Sequence, residues 1–328
     1  MSPNSTLIVG PRVLRDDHEF RQFQALREAS FTPWNFPPTS ARSPLFGRDA
    51  LNAMAAAFPE FYLEGRQSDG RLAAFLSTLP AWWGGAPEAL LDLDHHQDTL
   101  RPGNRRMRLL SATTAVSRHL PIVRPLAGRL TRGWRQDRLR GCNTIVLAAI
   151  IIDPSVRGQQ IPVQMFAGIR RSATVLGFRH IISPFRPSAY GDYKAARAAT
   201  HSPSLFREYC ETRTAEGLPI DPWLRALVRN GVHLLHPEPR SLRQTGTLEA
   251  FDRLRATFRP DRWYSPATDV WECGLTPTWY VDQARREVTS TEPNYWGVLP
   301  LAVEERGPVA STTGHGTATV CREASEAA

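Results

Sequence analysis

Lysine is almost absent from this chain. Lys194 is the only one among 40 basic residues, and the other 39 are arginines. Such a bias reads as the mark of a GC-rich genome, so most of these arginines need no functional account. Cysteine is scarce too: Cys142, Cys210, Cys273 and Cys321 lie far apart and form no Cys-x-x-Cys pair. That spacing argues against a disulfide framework and against a zinc ribbon, and leaves four reduced thiols. His233 and His236 have neither partners nor a helical context suggesting zinc, so they read as structural and no metal site is expected. No run of 18 apolar residues occurs, which argues against a membrane-spanning helix. The opening Met1-Ser2-Pro3-Asn4-Ser5 has neither the basic region nor the apolar core of a secretory signal. A soluble, cytoplasmic protein with no membrane partner is the expectation.

Acidic residues are missing from one stretch in particular. Between Arg101 and Arg140 eleven arginines face Asp137 alone, a net of +10 in a chain whose total is +8. The positive field therefore belongs to one segment. It is a solvated face, a nucleic-acid surface or a dock for an acidic protein. Trp134 is the one aromatic residue there, and a single stacking platform makes nucleic acid unlikely.

A chain of 328 residues can bury a large core and exceeds one typical domain. Arg15 to Ala29 carries apolar residues at helical spacing, whereas residues 1–11 read as a ragged start. Phe61 to Gly65 and Leu72 to Ser77 flank Ser68-Asp69-Gly70, the signature of a hairpin. Asp221-Pro222 is a helix start, with Asp as N-cap and Pro in the first turn. Val232 to Leu235, Thr278 to Val281, Glu287 to Thr291 and Tyr295 to Leu299 read as strands, and Thr247 to Thr257 as a helix.

Asn143 to Tyr193 is the most informative stretch. Thr144 to Ile152 is a β-branched apolar run suited to a buried strand. Asp153-Pro154-Ser155 breaks it, Val156 to Pro162 forms a turn, and a helix runs from about Val163 to Leu176 until Gly177 stops it. His180 to Ser183 is a second strand. A strand, an Arg-Gly turn and a helix start make an anion site, because first-turn N–H groups point at the ligand.

That order resembles the acyl-donor core of the GNAT N-acyltransferase superfamily, whose turn is written Q/R-x-x-G-x-G/A. Arg157 matches the first position and Gly158 the usual Arg-Gly pair; Gln160 and Pro162 stand where the family prefers small residues. After the second strand the family often shows Asn, then Ala, then Tyr, and here Arg186, Ala189 and Tyr193 occupy those places. Phe58-Pro59-Glu60, Arg186-Pro187, Asp221-Pro222-Trp223-Leu224-Arg225 and Glu292-Pro293-Asn294-Tyr295-Trp296 resemble signatures of an actinobacterial subgroup of GNAT-like proteins. The resemblance then spans residues 58–299, with the basic insertion as the main departure.

It implies an α/β (α+β) GNAT fold: a mixed, mostly antiparallel sheet flanked by helices, with a basic helical insertion and a C-terminal extension. Residues 1–57 would be N-terminal helices and a loop, and 58–200 the acyl-donor core with its insertion at 87–141. Residues 201–300 would complete the fold, and 301–328 form a disordered tail rich in Ala, Thr, Ser and Gly.

The implied chemistry is transfer of an acyl group from a phosphopantetheine thioester to the amine of a small-molecule acceptor. The backbone of Ile150, Ile151 and Ile152 would pair with the pantetheine and stabilise the oxyanion, unless the run is only a buried strand. Arg157, Gly158, Gln159, Gln160 and Ile161 would supply amides to phosphate, with Pro162 contributing none. One missing donor matters less for the single phosphate of a carrier-bound arm than for coenzyme A. Tyr193 would protonate the leaving thiolate, with Tyr190 as fallback, or be a core tyrosine. No general base is legible; Glu60, His95, His96, His180 and Asp153 are of the right type, and relay through water is an equal alternative. An acidic acyl or peptidyl carrier protein would dock on Arg105, Arg106 and Arg108. No permanently bound cofactor is implied. Free acyl-coenzyme A is the alternative donor, and a non-catalytic GNAT-like scaffold or a basic nucleic-acid-binding protein is the alternative of another kind.

Overall fold

The computed structural model describes residues 8–11, 17–30, 61–85, 87, 90, 142–156, 160–197, 202 and 204–302. β1 (Ile8–Pro11) and α1 (Asp17–Ser30) come first, then β2 (Tyr62–Arg66) and β3 (Leu72–Ala81). β4 (Thr144–Ile152), α2 (Ile161–Val175), β5 (His180–Phe185) and α3 (Tyr190–Ala195) follow. Next are α4 (Leu205–Glu211), α5 (Pro222–Arg229), β6 (His233–Thr247) and α6 (Leu248–Thr257). The last strands are β7 (Tyr264–Ala267), β8 (Val270–Glu272), β9 (Thr278–Asp282) and β10 (Glu287–Val298).

Local chemistry explains the ends. The β2–β3 turn closes because Gly70 takes a φ of +85°, open to a residue without Cβ, while Asp69 accepts from Arg71 N at 2.9 Å. Asp221 caps α5 by accepting from Trp223 N and Leu224 N, both at 2.9 Å, with Pro222 in the first turn. Thr247 caps α6 through Ala250 N.

Ten strands form one sheet in the order β1-β2-β3-β4-β5-β10-β9-β8-β7, with β6 on β10. Only β4 and β5 run parallel among the described strands. The architecture is thus α/β: a mixed, mostly antiparallel sheet flanked by helices.

Three segments differ from the sequence-based expectation. Ile8–Pro11, expected to be ragged, pairs antiparallel with β2. The two strands expected at 287–291 and 295–299 are one, because Pro293 sits where the register shifts between Glu292 and Asn294, so the ladder bends there instead of ending. β6 runs for 15 residues through Pro237 and Pro239, not four, since its partner β10 follows it throughout. With β6 along one edge of β10, β5 and β9 lie one after the other on the opposite edge: β9 pairs Thr278–Asp282 and β5 pairs Ile182–Phe185. Those two ends approach each other beside Glu292. That junction opens the site.

The main core packs Phe61, Leu76, Ile145, Phe166, Ile181 and Leu224, all fully buried, under the helices. A second, around Phe251, Trp263 and Trp279, joins α6 to β9 and β10. Among the described residues no helix is long and apolar enough to cross a membrane.

Candidate functional site

The parallel ladder between β4 and β5 lasts three residues, Thr144–Val146 against His180–Ile182. Two features end it. Ala148 is an extra residue opposite β3, since Ser77 faces Ala149 and Thr78 faces Leu147; such a bulge bends the strand. Ser183, 5% exposed, donates its hydroxyl to Leu147 O at 3.1 Å, satisfying the carbonyl where the strands part. β5 then turns to β10, and no described strand lies beside Ile150 to Ile152 on that edge.

A cavity of about 1250 Å³ fills the opening. Ile150, Ile151 and Ile152 line it, together with Gln160, Ile161 and Pro162 at the start of α2. Gln160 takes a left-handed φ of 55°, and no side chain caps the helix among the described residues. Five expected donor-site residues, Ile150, Ile151, Ile152, Gln160 and Ile161, therefore line one cavity. Arg157, Gly158 and Gln159 lie outside the described residues, as do Arg105, Arg106 and Arg108 and the candidate bases Glu60, His95 and His96. Residues 303–328 of the expected tail 301–328 and most of the basic insertion lie outside them too.

The remaining wall comes from residues to which sequence patterns gave no role, although Arg186, Trp223 and Arg225 lie within the GNAT-like signatures. Gly191 and Asp192 of α3, Trp223 and Arg225 of α5, and the segment Gly274–Pro277 all line the cavity. Arg186, Arg225, Arg229 and Arg259 line it against Asp192, the one carboxylate among its described residues. The Arg186 guanidinium grips Glu292 with both ends, Nε to Oε1 at 2.7 Å and Nη2 to Oε2. Arg225 donates to the carbonyls of Pro219 at 3.2 Å and Ile220 at 3.1 Å. Their place in a cavity depends on which chain segments meet across the sheet, which the local signatures around Arg186 and Arg225 do not reveal.

Tyr193 is not among the lining residues. Its ring is half-buried, 4.7 Å from the Tyr209 ring and 3.7 Å beneath the Arg197 guanidinium. Tyr190, three residues earlier on the same helical face, is buried against Phe206 and Tyr209. Burial, reinforced by Glu272, pushes its phenol pKa well up. Asp153 accepts from Arg71 at 2.8 Å and from Ser155 N at 2.8 Å, outside the cavity lining. His180 packs edge-on against Trp83 at the opposite end of β5, where burial lowers its pKa. His236 meets Leu90 O at 2.7 Å, a structural contact. No group of three or more His, Cys, Asp or Glu among the described residues is placed to hold a metal.

Asp221 organises this side of the cavity. Fully buried, it accepts from Tyr209 Oη at 2.8 Å, Ala189 N at 2.9 Å and Ser188 Oγ at 3.4 Å besides its cap bonds. Burial, then Asp221 as acceptor, holds the Tyr209 phenol far above its usual range.

No family model matches the chain, and no curated protein does. Several solved structures are similar to it at low identity. The loading GNATL domain of CurA from Lyngbya majuscula is 12% identical, with a TM-score of 0.44 over 72% of this chain and 89% of that one. The GphF GNAT-like decarboxylase in complex with isobutyryl-CoA is 12% identical, with a TM-score of 0.45 over 90% and 100%. The GNAT family N-acetyltransferase YhbS from Escherichia coli, in complex with CoA, is 12% identical, with a TM-score of 0.28 over 61% and 75%.

Proposed function

We propose that this protein is a GNAT-type N-acyltransferase that moves an acyl group from a phosphopantetheine thioester to an amine of a small-molecule biosynthetic intermediate. One observation carries this reading: β4 and β5 part after three residues, and the bared edge Ile150–Ile152 opens onto the cavity at the uncapped start of α2. An extended pantetheine arm can add to such an edge as a strand would, with its phosphate at the helix start. A backbone N–H on that edge then faces the thioester carbonyl and stabilises the oxyanion formed when the amine attacks. Asp192 attracts the acceptor's ammonium and can receive its proton.

As the tetrahedral intermediate collapses, the C–S bond breaks and the thiolate needs a proton. We assign this to Tyr193, a transfer uphill by ~2 kcal/mol from a reference phenol to a reference thiol. Its hydroxyl must then leave the neighbourhood of Tyr209 for the cavity.

The carrier-protein form of the donor rests on the charge of residues 101–140, with Arg105, Arg106 and Arg108 as the dock for an acidic carrier. The resemblance to carrier-protein-dependent N-acyltransferases of altemicidin-type sulfonamide antibiotic biosynthesis points the same way, to a cytoplasmic enzyme of specialised metabolism.

The test presents matched acyl thioesters on carrier protein, on coenzyme A and on pantetheine alone, with amide formation read by mass spectrometry. Carrier turnover should exceed the others, and changing Arg105, Arg106 and Arg108 to Glu should raise its KM alone. That effect should fade with salt, as the Debye length falls from ~10 Å at 0.1 M to ~3 Å at 1 M. Preference for acyl-coenzyme A would replace the donor, and no amide from any thioester would sink the enzyme reading. Tyr193→Phe should slow turnover about ten- to thousandfold, around or below the usual span of acid catalysis. A rate within twofold of the parent removes Tyr193 from the mechanism.

A further inference from the structure

The single lysine of the chain is also among the most buried charges of the described residues. Lys194, 3% exposed, directs Nζ at Pro277 O and Thr278 Oγ1, both at 3.0 Å, and at Thr276 O at 3.4 Å. The carboxylate of Glu272 lies 3.2 Å away and is 1% exposed. Glu272 also accepts from Tyr264 Oη at 2.7 Å and Thr278 Oγ1 at 3.0 Å. An ammonium has three protons, so four oxygens around Nζ exhaust its capacity. A compact ammonium suits oxygens crowded round one point better than a planar guanidinium with five fixed donors. In a chain with 39 arginines, the exception falls where that difference matters.

The position is as telling as the chemistry. Gly191 and Asp192 of α3 line the cavity, and so do Gly274, Leu275, Thr276 and Pro277. These two segments touch backbone to backbone. A Cβ on Gly191 would overlap Gly274 O and come within 2.8 Å of the Leu275 backbone. Lys194, the next turn of α3, fastens the same contact by charge. α3 follows β5, whereas residues 272–278 lead from β8 into β9, so the tie spans the gap where β5 and β9 share an edge of β10.

We propose that Lys194 is a positioning residue, whose ion pair with Glu272 clasps the Gly274–Pro277 wall to α3 and sets the width of the cavity there. The clasp stands on geometry alone; its effect on turnover rests on the acyl transfer proposed above.

Because Lys194 is the sole lysine, an amine-reactive reagent reports on it without competition from other side chains. Peptide-resolved mass spectrometry should find Lys194 labelled at least a hundredfold more slowly in the folded protein than in the digested chain. Glu272→Gln should speed that labelling at least tenfold. Lys194→Met alone strands a buried carboxylate, so the folded comparison uses Lys194→Met with Glu272→Leu, which removes both charges. In this double variant, amide exchange across residues 274–278 should rise at least tenfold while residues 144–152 keep their parent rates. With thioester donors its KM should rise at least fivefold, with kcat within about threefold. Labelling of Lys194 at the free-peptide rate, unchanged exchange at 274–278, or a rise spread evenly over the sheet would each overturn the clasp. If the parent protein consumes no thioester, acyl transfer fails, and labelling and exchange still decide the clasp.

Discussion

The two walls of the cavity are backed by different groups. On the α3–α5 side one buried carboxylate, Asp221, accepts from Tyr209, Ala189, Trp223 and Leu224 and so fixes three helices by directed bonds. Behind the far wall, which Lys194 ties to α3, lies an aromatic block: Phe251 meets Trp263 edge-on at 5.4 Å, Trp263 meets Trp279 at 4.8 Å, and Leu275 of the wall packs against them. Hydrogen bonds are directional and lose sharply when one partner goes, whereas ring packing is broad and roughly proportional to area. A polar hub therefore fixes specific backbone atoms, Ala189 N among them, between the lining residues Ser188 and Gly191. An aromatic block serves to back a wall. Between them lies the edge of β4 that the sheet leaves open.

The contrast can be broken most severely on the aromatic side. Phe251 is fully buried, and Phe251→Ala removes the ring that links α6 to Trp263 and Trp279. A loss of about 3–5 kcal/mol is expected, the usual range for a buried Phe→Ala cavity. Urea unfolding followed by tryptophan fluorescence reads it. A loss below about 1 kcal/mol would mean that the aromatic cluster collapses around the gap and does not brace the wall.

Asp221→Ala tests the polar side and should cost less, about 2–4 kcal/mol. A lost N-cap accounts for ~0.5–2 of this, and the stranded Tyr209 hydroxyl and Ala189 amide for ~1–3. Its pattern should differ from that of Phe251→Ala: amide exchange should quicken at Ala189 and the start of α5 first. Loosening that begins in β9 instead would erase the distinction between the walls.

How far the sequence announced these walls follows from the range of the forces involved. Thr144–Ile152 was legible residue for residue, because a β-branched run ended by Asp153-Pro154 leaves little choice. The Asp221 cap was legible too, being a bond to amides two and three residues away. Its bonds to Ala189 and Tyr209 were not, since they span 32 and 12 residues and follow no local period. The same reason hid Asp192, Arg259 and the Gly274–Pro277 wall, which meet only after β5 and β9 line up on β10. β7 and β8 escaped notice because four and three residues are too few to show alternation. The merging of two expected strands into β10 shows the converse: Pro293 reads locally as a stop, but β6 pairs on both sides of it and carries the strand through.

Asp153 and Asp192 give the smallest and sharpest comparison, because both were open to the role of base once the cavity was known. The Asp153 carboxylate meets Arg71 at 2.8 Å, but the Arg71 side chain is 44% exposed. Solvent screens such a pair, so Asp153→Asn should cost only about 0–1 kcal/mol. Asp153 is absent from the cavity lining, whereas Asp192 is part of it. Amide formation should therefore stay within twofold of the parent in Asp153→Asn and fall at least tenfold in kcat/KM in Asp192→Asn, with both proteins as stable as the parent to within about 1 kcal/mol. A slow Asp153→Asn beside a fast Asp192→Asn would reverse the assignment. It would put proton removal at the β4–α2 turn, on the donor side of the thioester, and leave α3 with a role in binding alone.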